Sequence, residues 1–254
     1  MKLAHRVDGA AEAPLLVLSS ALGTTTALWD SQVSALASGF RVLRHDLPGH
    51  GRSPLSSEPV TVEAVGRALL ELLDDLGVAR FSFCGVSLGG MVGMWLGADA
   101  PERVERLVLA CTGARLGAPG LYAERAAAVR ERGTAIMVDG ARERWFTPSF
   151  RSSAAAERVL DQLRATPAEG YAACCEAVGA FDFRSRLAEV VPPTLVLHGA
   201  DDPVTPPAVV DELAGGIRGA QRAAIPRAAH LANVEQPGAF TDAVLSHLAH
   251  RAAA

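Results

Sequence analysis

Short hydrophobic runs recur along this chain, and stretches with apolar residues at helical spacing separate them. Runs of this length, bounded by Gly, Pro and Asp, are typical of buried strands. Because strands and helices alternate, the pattern predicts a mostly parallel sheet flanked by helices, which is the α/β class. The predicted strands cover residues 15–19, 42–45, 81–84, 104–110, 194–198 and 223–225, and residues 2–7 are a candidate antiparallel edge strand.

The stretches between these runs contain the predicted helices. Several of them open with Pro or Thr, which are common at helix N-termini. Two end at stop signals, residues 75–77 and 99–101, where Asp comes shortly before Gly or Pro. The predicted helices span residues 28–37, 61–76, 88–98, 207–215 and 235–250.

The alternation of strand and helix stops between residues 113 and 191. Alanine- and arginine-rich helical segments fill this insertion, Gly and Pro punctuate them, and no strand pattern occurs. The insertion follows the C-terminal end of a strand, which is the side of an open α/β sheet where ligands bind. We therefore predict a core domain of residues 1–112 and 192–254 and a helical cap of residues 113–191 that walls the active site. The alternative is an insertion that only shields the sheet.

Length and composition narrow the class of protein. The 254 residues, 49% of them hydrophobic, are enough for one interrupted catalytic domain. A net charge of −4 leaves no basic stripe, so we expect no nucleic-acid partner. Since no apolar run approaches the ~20 residues of a membrane span and no signal-peptide pattern opens the chain, we expect a cytoplasmic protein without a membrane partner. The four cysteines are predicted to be reduced and buried.

A candidate nucleophile lies between the predicted strand 81–84 and the helix that follows it. The segment Gly85-Val86-Ser87-Leu88-Gly89 fills the G-x-S-x-G pattern. In this setting the tight turn forces the serine into a strained backbone conformation, and the two glycines let neighbouring backbone approach closely. We therefore predict that Ser87 is the catalytic nucleophile. The alternative is a glycine-rich structural turn.

A serine nucleophile needs a base, and the base needs a carboxylate that orients it. The G-x-S-x-G turn is called the nucleophile elbow, and this elbow pattern predicts the order serine, acid, histidine along the chain. His230 is the predicted base, because among the seven histidines it alone lies between the last predicted strand and the final helix. Asp201 and Asp202 both follow the strand 194–198, and their position alone does not decide between them.

Two backbone amides are predicted to form an oxyanion hole. One is the N–H of Leu88, the residue after the nucleophile. The other belongs to the loop 20–24, where we favour the Leu22 amide, and the alternative is an ordinary glycine turn. No phosphate-binding, dinucleotide-binding or zinc pattern occurs, so we expect neither a cofactor nor a metal.

A family resemblance rests on residues 18–25, 28–30, 44–53, 85–91, 143–147 and 199–206. Over essentially its whole length the chain resembles the α/β-hydrolase family and, more narrowly, the 3-oxoadipate enol-lactonases. In this family the acid stands three residues after the strand-ending glycine, which here selects Asp202. Many α/β-hydrolases have His-Gly where this chain has Ser20-Ala21, and lactonases of this type similarly lack that histidine.

The resemblance implies hydrolysis of an enol-lactone to 3-oxoadipate in aromatic catabolism, with a small anionic lactone and water as the partners. Such a substrate carries a free carboxylate. Arg144 is predicted to bind it with two hydrogen bonds, and the indole N–H of Trp145 is a candidate third donor. The alternative is a surface arginine beside a buried tryptophan.

Several alternatives stay open. Because an enolate is a good leaving group, both an acyl-enzyme route and direct attack by water fit the predicted residues. A general carboxylesterase, thioesterase or cofactor-free perhydrolase is the second candidate function. A ligand-binding receptor without turnover is the candidate from another class.

Overall fold

The computed structural model describes residues 1–118 and 120–249, and these contain a seven-stranded sheet. The strands are β1 (His5–Asp8), β2 (Leu15–Ser19), β3 (Arg41–His45), β4 (Phe81–Val86), β5 (Val104–Ala110), β6 (Thr194–Gly199) and β7 (Gln221–Ile225). Their order in the sheet is β1-β3-β2-β4-β5-β6-β7. All neighbouring strands are parallel except the antiparallel pair of β1 and β3. The mostly parallel α/β sheet is confirmed.

Every hydrophobic run that predicted a strand forms one. The largest difference is at β1, which covers His5–Asp8 instead of residues 2–7. Strand β7 begins two residues before its predicted range, and four of its five residues are not buried. Among the described residues it pairs only with β6. An edge strand of this kind is held by backbone hydrogen bonds, so its polar residues do not add to the hydrophobic run.

The strand order reverses between β2 and β4, which are neighbours although β3 lies between them in the chain. Ser19 at the end of β2 is in register with Gly85 near the end of β4. The loops that follow these two strands therefore leave the sheet side by side. In open α/β sheets, the carboxyl ends of the strands at such a switch point form the ligand-binding crevice.

The helices occupy the predicted stretches, with two differences at their ends. The α-helices are α1 (Asp30–Leu36), α2 (Val62–Asp75), α3 (Leu88–Asp99), α4 (Leu121–Arg132), α5 (Val138–Trp145), α6 (Ala154–Ala165), α7 (Ala168–Ala180), α8 (Pro207–Gly216), α9 (Ala232–Glu235) and α10 (Pro237–Ala249). A 3-10 turn, Thr26–Trp29, replaces the start of the first predicted helix. The last predicted helix, residues 235–250, begins at Pro237 instead, after α9 ends at Glu235, because a residue before proline is driven out of the helical region. Residue 250 of that prediction lies outside the described residues.

Helix α3 is the centre of the core, and ten of its residues are buried. It packs on β4 and β5 on one side and on α2 on the other. Gly93 permits the close approach to the sheet, because a Cβ there would lie 2.8 Å from the Phe83 ring and 3.0 Å from Leu109. The N-terminus of α3 is thus fixed directly above the end of β4.

The insertion, residues 113–191, lies between β5 and β6. Within its described residues it contains α4 to α7, the 3-10 turns Thr134–Met137 and Arg184–Glu189, and no strand. Helix α7 touches the core backbone to backbone, since a Cβ on Gly170 would lie 2.3 Å from the carbonyl oxygen of Gly49. The insertion is therefore packed firmly on the core. None of the helices described is both long and apolar enough to span a bilayer.

Candidate active site

Ser87 lies in the turn between β4 and α3 with a backbone φ of 57°, in the left-handed region. Two glycines make this turn possible. A Cβ on Gly85 would lie 2.2 Å from the carbonyl oxygen of Gly89, and a Cβ on Gly89 would lie 2.2 Å from that of Ser19. The Ser87 N–H donates to the carbonyl oxygen of Ala110 at 2.9 Å. The strained serine is thus held between neighbouring strands, as the elbow pattern predicts.

Three side chains from three different loops meet above the sheet. The distance from the Nε2 atom of His230 to the hydroxyl oxygen of Ser87 is 3.0 Å. The Nδ1 atom of His230 lies 2.9 Å from a carboxylate oxygen of Asp202. His230 and Asp202 are buried, whereas Ser87 is partly exposed. The arrangement has the geometry of a nucleophile, a base and an orienting acid.

Asp202 and its neighbour Asp201 have different surroundings. Asp202 accepts hydrogen bonds from the N–H of Val204 at 2.8 Å and from the hydroxyl of Thr205, as well as from His230. Burial raises the pKa of its carboxyl group, but the charge of His230 and these hydrogen bonds outweigh burial and lower the pKa overall. Asp201 is exposed. The structure therefore brings Asp202 to His230, as the family spacing predicts.

The two predicted oxyanion amides lie on either side of Ser87. Leu88 is the first residue of α3, and N–H groups of a first helical turn have no partner within the helix. Leu22 lines the same cavity as Ser87. Across residues 1–118 and 120–249, no hydrogen bond engages its N–H. Both amides are thus available to a ligand, and their role as an oxyanion hole stays a prediction.

His50 holds the loop that carries Leu22. Its Nε2 atom accepts the N–H of Gly23 at 3.0 Å, and its Nδ1 atom lies 2.9 Å from the carbonyl oxygen of Pro48. Burial lowers the pKa of His50 to about 4, so the ring is neutral and can accept at Nε2 while Nδ1–H donates. Sequence reasoning did not predict this support.

A cavity of about 230 Å³ opens beside Ser87 and His230 and extends between the core and the insertion. This volume suits a small molecule. Most of its surface is apolar. The lining residues from the insertion include Tyr122, Arg125, Met137, Ala141, Arg144, Trp145 and Tyr171.

Two arginines line this cavity, and within the described part of the chain neither has a carboxylate partner. Arg144, at the end of α5, is half-buried. Burial lowers the pKa of its guanidinium, and the nearby charge of Arg125 lowers it further. Arg125, on α4, lies 4.9 Å from the centre of the Tyr122 ring. Two cations without anions in a half-buried cavity create a strong local preference for an anionic ligand.

Arg125 was not predicted to be in the site. Arginine is frequent in the insertion, and no motif distinguishes Arg125 from its neighbours on α4. Its place in the cavity depends on how α4 packs against α7. Trp145 is buried and lines the cavity, and its role as a donor to the substrate stays a prediction.

The described residues hold no group of three or more His, Cys, Asp or Glu side chains arranged to bind a metal ion. The four cysteines are free and buried. Burial raises the pKa of each thiol, to about 11 at Cys175 and to about 12 at Cys111 and Cys174. These groups stay protonated and do not act as nucleophiles.

Comparison with known families matches residues 14–237 to the alpha/beta hydrolase fold. The chain belongs to the α/β-hydrolase family. It is similar to 3-oxoadipate enol-lactonase 2 of Acinetobacter baylyi, at 37% identity over 95% of this chain and 91% of that protein. The predicted fold and the predicted hydrolase acting on carboxylic ester bonds are confirmed.

Two solved structures extend the comparison. The enol-lactonase from Burkholderia xenovorans LB400 has a TM-score of 0.94 and 39% identity, covering 98% of this chain and 96% of that one. A thermophilic esterase from Thermogutta terrifontis, solved with malate bound, has a TM-score of 0.90 and 30% identity, covering 97% and 92%. The α/β-hydrolases similar to this chain thus include both lactonases and esterases.

Proposed function

We propose that this α/β-hydrolase opens the lactone ring of 3-oxoadipate enol-lactone to give 3-oxoadipate, a step of aromatic catabolism. The observation that carries the proposal is the pair of arginines, Arg125 and Arg144, that line the cavity beside Ser87 and have no carboxylate partner among the described residues. The substrate places a carboxylate next to a lactone, and the cavity places cations next to a nucleophile. The similarity to enol-lactonases over nearly the full chain supports the same substrate.

The proposed reaction begins when His230 takes the proton of Ser87 and the serine oxygen attacks the lactone carbonyl carbon. The tetrahedral intermediate carries its negative charge on the former carbonyl oxygen. The N–H groups of Leu22 and Leu88 stabilise that charge, each with an effect of about 3 kcal/mol. Asp202 stabilises the imidazolium that forms on His230.

Ring opening breaks the bond between the acyl carbon and the ring oxygen. The leaving enolate takes the proton from His230 and becomes the ketone, and the acyl group stays on Ser87. His230 then removes a proton from water, the hydroxide attacks the acyl carbon, and Ser87 regains its proton. In the alternative route, His230 activates water for direct attack on the lactone. Rapid quenching followed by mass spectrometry distinguishes the routes, since only the first adds the acyl mass to Ser87.

The substrate carboxylate is bound by the insertion. Arg144 offers two parallel N–H donors, the fork that matches a carboxylate. The indole N–H of Trp145 takes part in no hydrogen bond among the described residues, which leaves it free to donate. Arg125 adds the second positive charge. The esterase neighbour solved with malate, itself a dicarboxylate, is a further precedent for an anionic ligand in a similar fold.

Spectrophotometric assay of lactone loss tests the proposal directly. We expect turnover of 3-oxoadipate enol-lactone with kcat/KM well above that for neutral p-nitrophenyl esters of similar size. A clear preference for neutral esters would favour the general esterase, which the similarity to a thermophilic esterase supports as the second candidate. Stoichiometric ligand binding without turnover of any ester would instead indicate a receptor.

A further inference from the structure

A buried carboxylate, Glu235 on α9, joins the histidine loop to the insertion. It is 6% exposed. It accepts the N–H of Ala229 at 2.9 Å, the N–H of Thr147 at 3.2 Å and the hydroxyl of Thr147. No Arg, Lys or His in the described part of the chain forms an ion pair with it. We call this group of contacts, from Glu235 to Ala229 and Thr147, the Glu235 bridge.

The Glu235 bridge holds the backbone N–H of Ala229, the residue immediately before His230. On the other side of His230, the Leu231 N–H donates to the carbonyl oxygen of Trp145 at 3.1 Å. Both backbone neighbours of the base are therefore bound to the same short segment, residues 145–147, at the end of α5. That segment begins with Trp145, next to Arg144, so the cavity wall and the base share one set of supports.

Keeping an unpaired carboxylate in the interior has a free-energy cost, which neutral donors offset only when all of them are well directed. A hydrophobic contact could join a helix and a loop without that cost. A carboxylate with three donors does more, because it fixes both the distance and the direction of the groups that it holds. Misplacement of a catalytic group by about 1 Å lowers turnover by as much as about 100-fold.

We propose that Glu235 is a positioning residue that holds His230 at the correct distance from Ser87 by fastening its loop to Thr147. This inference rests on the proposed function only for the role of His230 as the base, and not on the identity of the lactone. The bridge contacts the residue before the base and, in the described part of the chain, forms no hydrogen bond with either arginine, so we expect its loss to lower kcat for anionic and neutral esters alike.

Two substitutions remove parts of the bridge. Glu235→Gln keeps the size of the side chain but leaves one acceptor oxygen and turns an NH₂ group toward N–H donors. Thr147→Val removes the hydroxyl, which bonds Glu235 and lies 3.1 Å from the Ser149 hydroxyl, and preserves the shape. Thr147→Ser restores that hydroxyl. Thr241→Val is the matched control, since Thr241 is 6% exposed against 9% for Thr147 and its hydroxyl bonds a carbonyl oxygen, that of Pro237 on α10.

The first readout is the second-order rate at which a neutral fluorophosphonate labels Ser87, which needs the activated serine but no lactone. The second is kcat and KM for a lactone and a neutral p-nitrophenyl ester. We expect Glu235→Gln and Thr147→Val to lower labelling and kcat about 10- to 100-fold with KM within about threefold. Thr147→Ser should recover most of the loss, and Thr241→Val should stay within about twofold of the parent.

Thermal unfolding of each variant separates positioning from general damage. If the folded Glu235→Gln and Thr147→Val proteins are labelled at the rate of the unmodified protein, the proposal is overturned. An equal loss of labelling in Thr241→Val would also overturn it, because the loss would then come from lower stability and not from removal of the Glu235 bridge. If Glu235→Gln does not fold, Thr147→Val and Thr147→Ser decide alone. If the variants of the Glu235 bridge lower labelling but the protein does not turn over the lactone, only the proposed substrate is refuted.

Discussion

At the scale of single residues, the proposed chemistry depends on two hydrogen bonds, one from Ser87 to His230 and one from His230 to Asp202. Both distances are those of well-formed hydrogen bonds, so the base is oriented toward both of its partners. Loss of any member of such a unit removes most of what the others contribute.

We predict that Ser87→Ala and His230→Ala each lower kcat by about three orders of magnitude or more, with the fold preserved. Asp202→Asn should also impair kcat strongly, because the imidazole loses its orienting anion. Asp201→Asn is the matched control and should have a mild effect, since that side chain is exposed. Steady-state kinetics measure each outcome, and a larger loss from Asp201→Asn than from Asp202→Asn would contradict the assignment.

The arginines should determine the preference for anionic substrates. We predict that Arg144→Ala weakens kcat/KM for the anionic lactone by about 2 to 4 kcal/mol, because a desolvated carboxylate loses its partner. Arg125→Ala should act in the same direction with a smaller effect, and neutral esters should be affected little by either change. Arg142→Ala is the control on the same helix, since Arg142 is paired with Glu157 outside the cavity. Equal losses on charged and neutral substrates would show that the arginines only support the insertion.

At the scale of elements, α5 carries the groups that face the substrate, and its sequence leaves room for one of them. The guanidinium of Arg144 folds back over Gly140, one turn earlier in the helix. A Cβ on Gly140 would lie 2.8 Å from a terminal nitrogen of Arg144. Glycine normally weakens a helix interior by about 1 kcal/mol relative to alanine. The glycine at position 140 is explained by the Arg144 side chain, which needs the space that a Cβ would fill.

We predict that Gly140→Ala displaces the Arg144 side chain without loss of stability. The anionic lactone should lose about tenfold or more in kcat/KM, neutral esters should be unaffected, and the melting temperature should stay equal or rise. Gly215→Ala on α8 is the matched control, because a Cβ there meets no atom within 4 Å. If Gly140→Ala keeps the selectivity of the unmodified protein for the anionic lactone, the observed position of Arg144 is not needed for that selectivity.

The division into core and cap also belongs to the scale of elements. The described residues of the insertion are helical and form one wall of the cavity. Those observations agree with a cap, but the boundaries at residues 113 and 191 and the selection of substrate by the cap stay predictions. The Arg144 and Gly140 variants test that selection.

At the scale of the whole molecule, two buried histidines connect stability to pH. Burial lowers the pKa of His45 to about 4, against the opposing effect of Asp46, and it lowers that of His50 to about 4. In the unfolded chain both rings bind a proton near pH 6.5. Between pH 6.5 and 4 the unfolded state therefore binds more protons, and stability falls as the pH falls.

We predict that the free energy of unfolding decreases through that window by about 1.4 kcal/mol per pH unit for each histidine. Urea titrations between pH 7 and 4 measure the slope. His45→Leu should remove about half of it. A slope that does not change in His45→Leu would contradict the assignment of neutral, buried imidazoles.

The local sequence determined much of the fold and of the candidate active site. The inner strands β2, β4, β5 and β6 contain short hydrophobic runs, and the sequence predicts them because burial on both faces requires apolar residues in succession. The edge strands β1 and β7 are largely unburied. The sequence predicts the tight turn around Ser87 because only small residues tolerate the close backbone contacts of that turn. The order of serine, acid and histidine follows from the positions of strands along the chain, and family spacing was needed to choose Asp202.

Only the tertiary structure decided which distant residues meet. Arg125 enters the cavity because α4 packs on α7, Glu235 holds the His230 loop because α5 ends beside it, and His50 supports the Leu22 loop through Gly23. None of these side chains carries a local signal, since an arginine, a glutamate or a histidine is compatible with any exposed position. Their roles come from contacts that bring different segments of the chain together, and those contacts exist only in the folded protein.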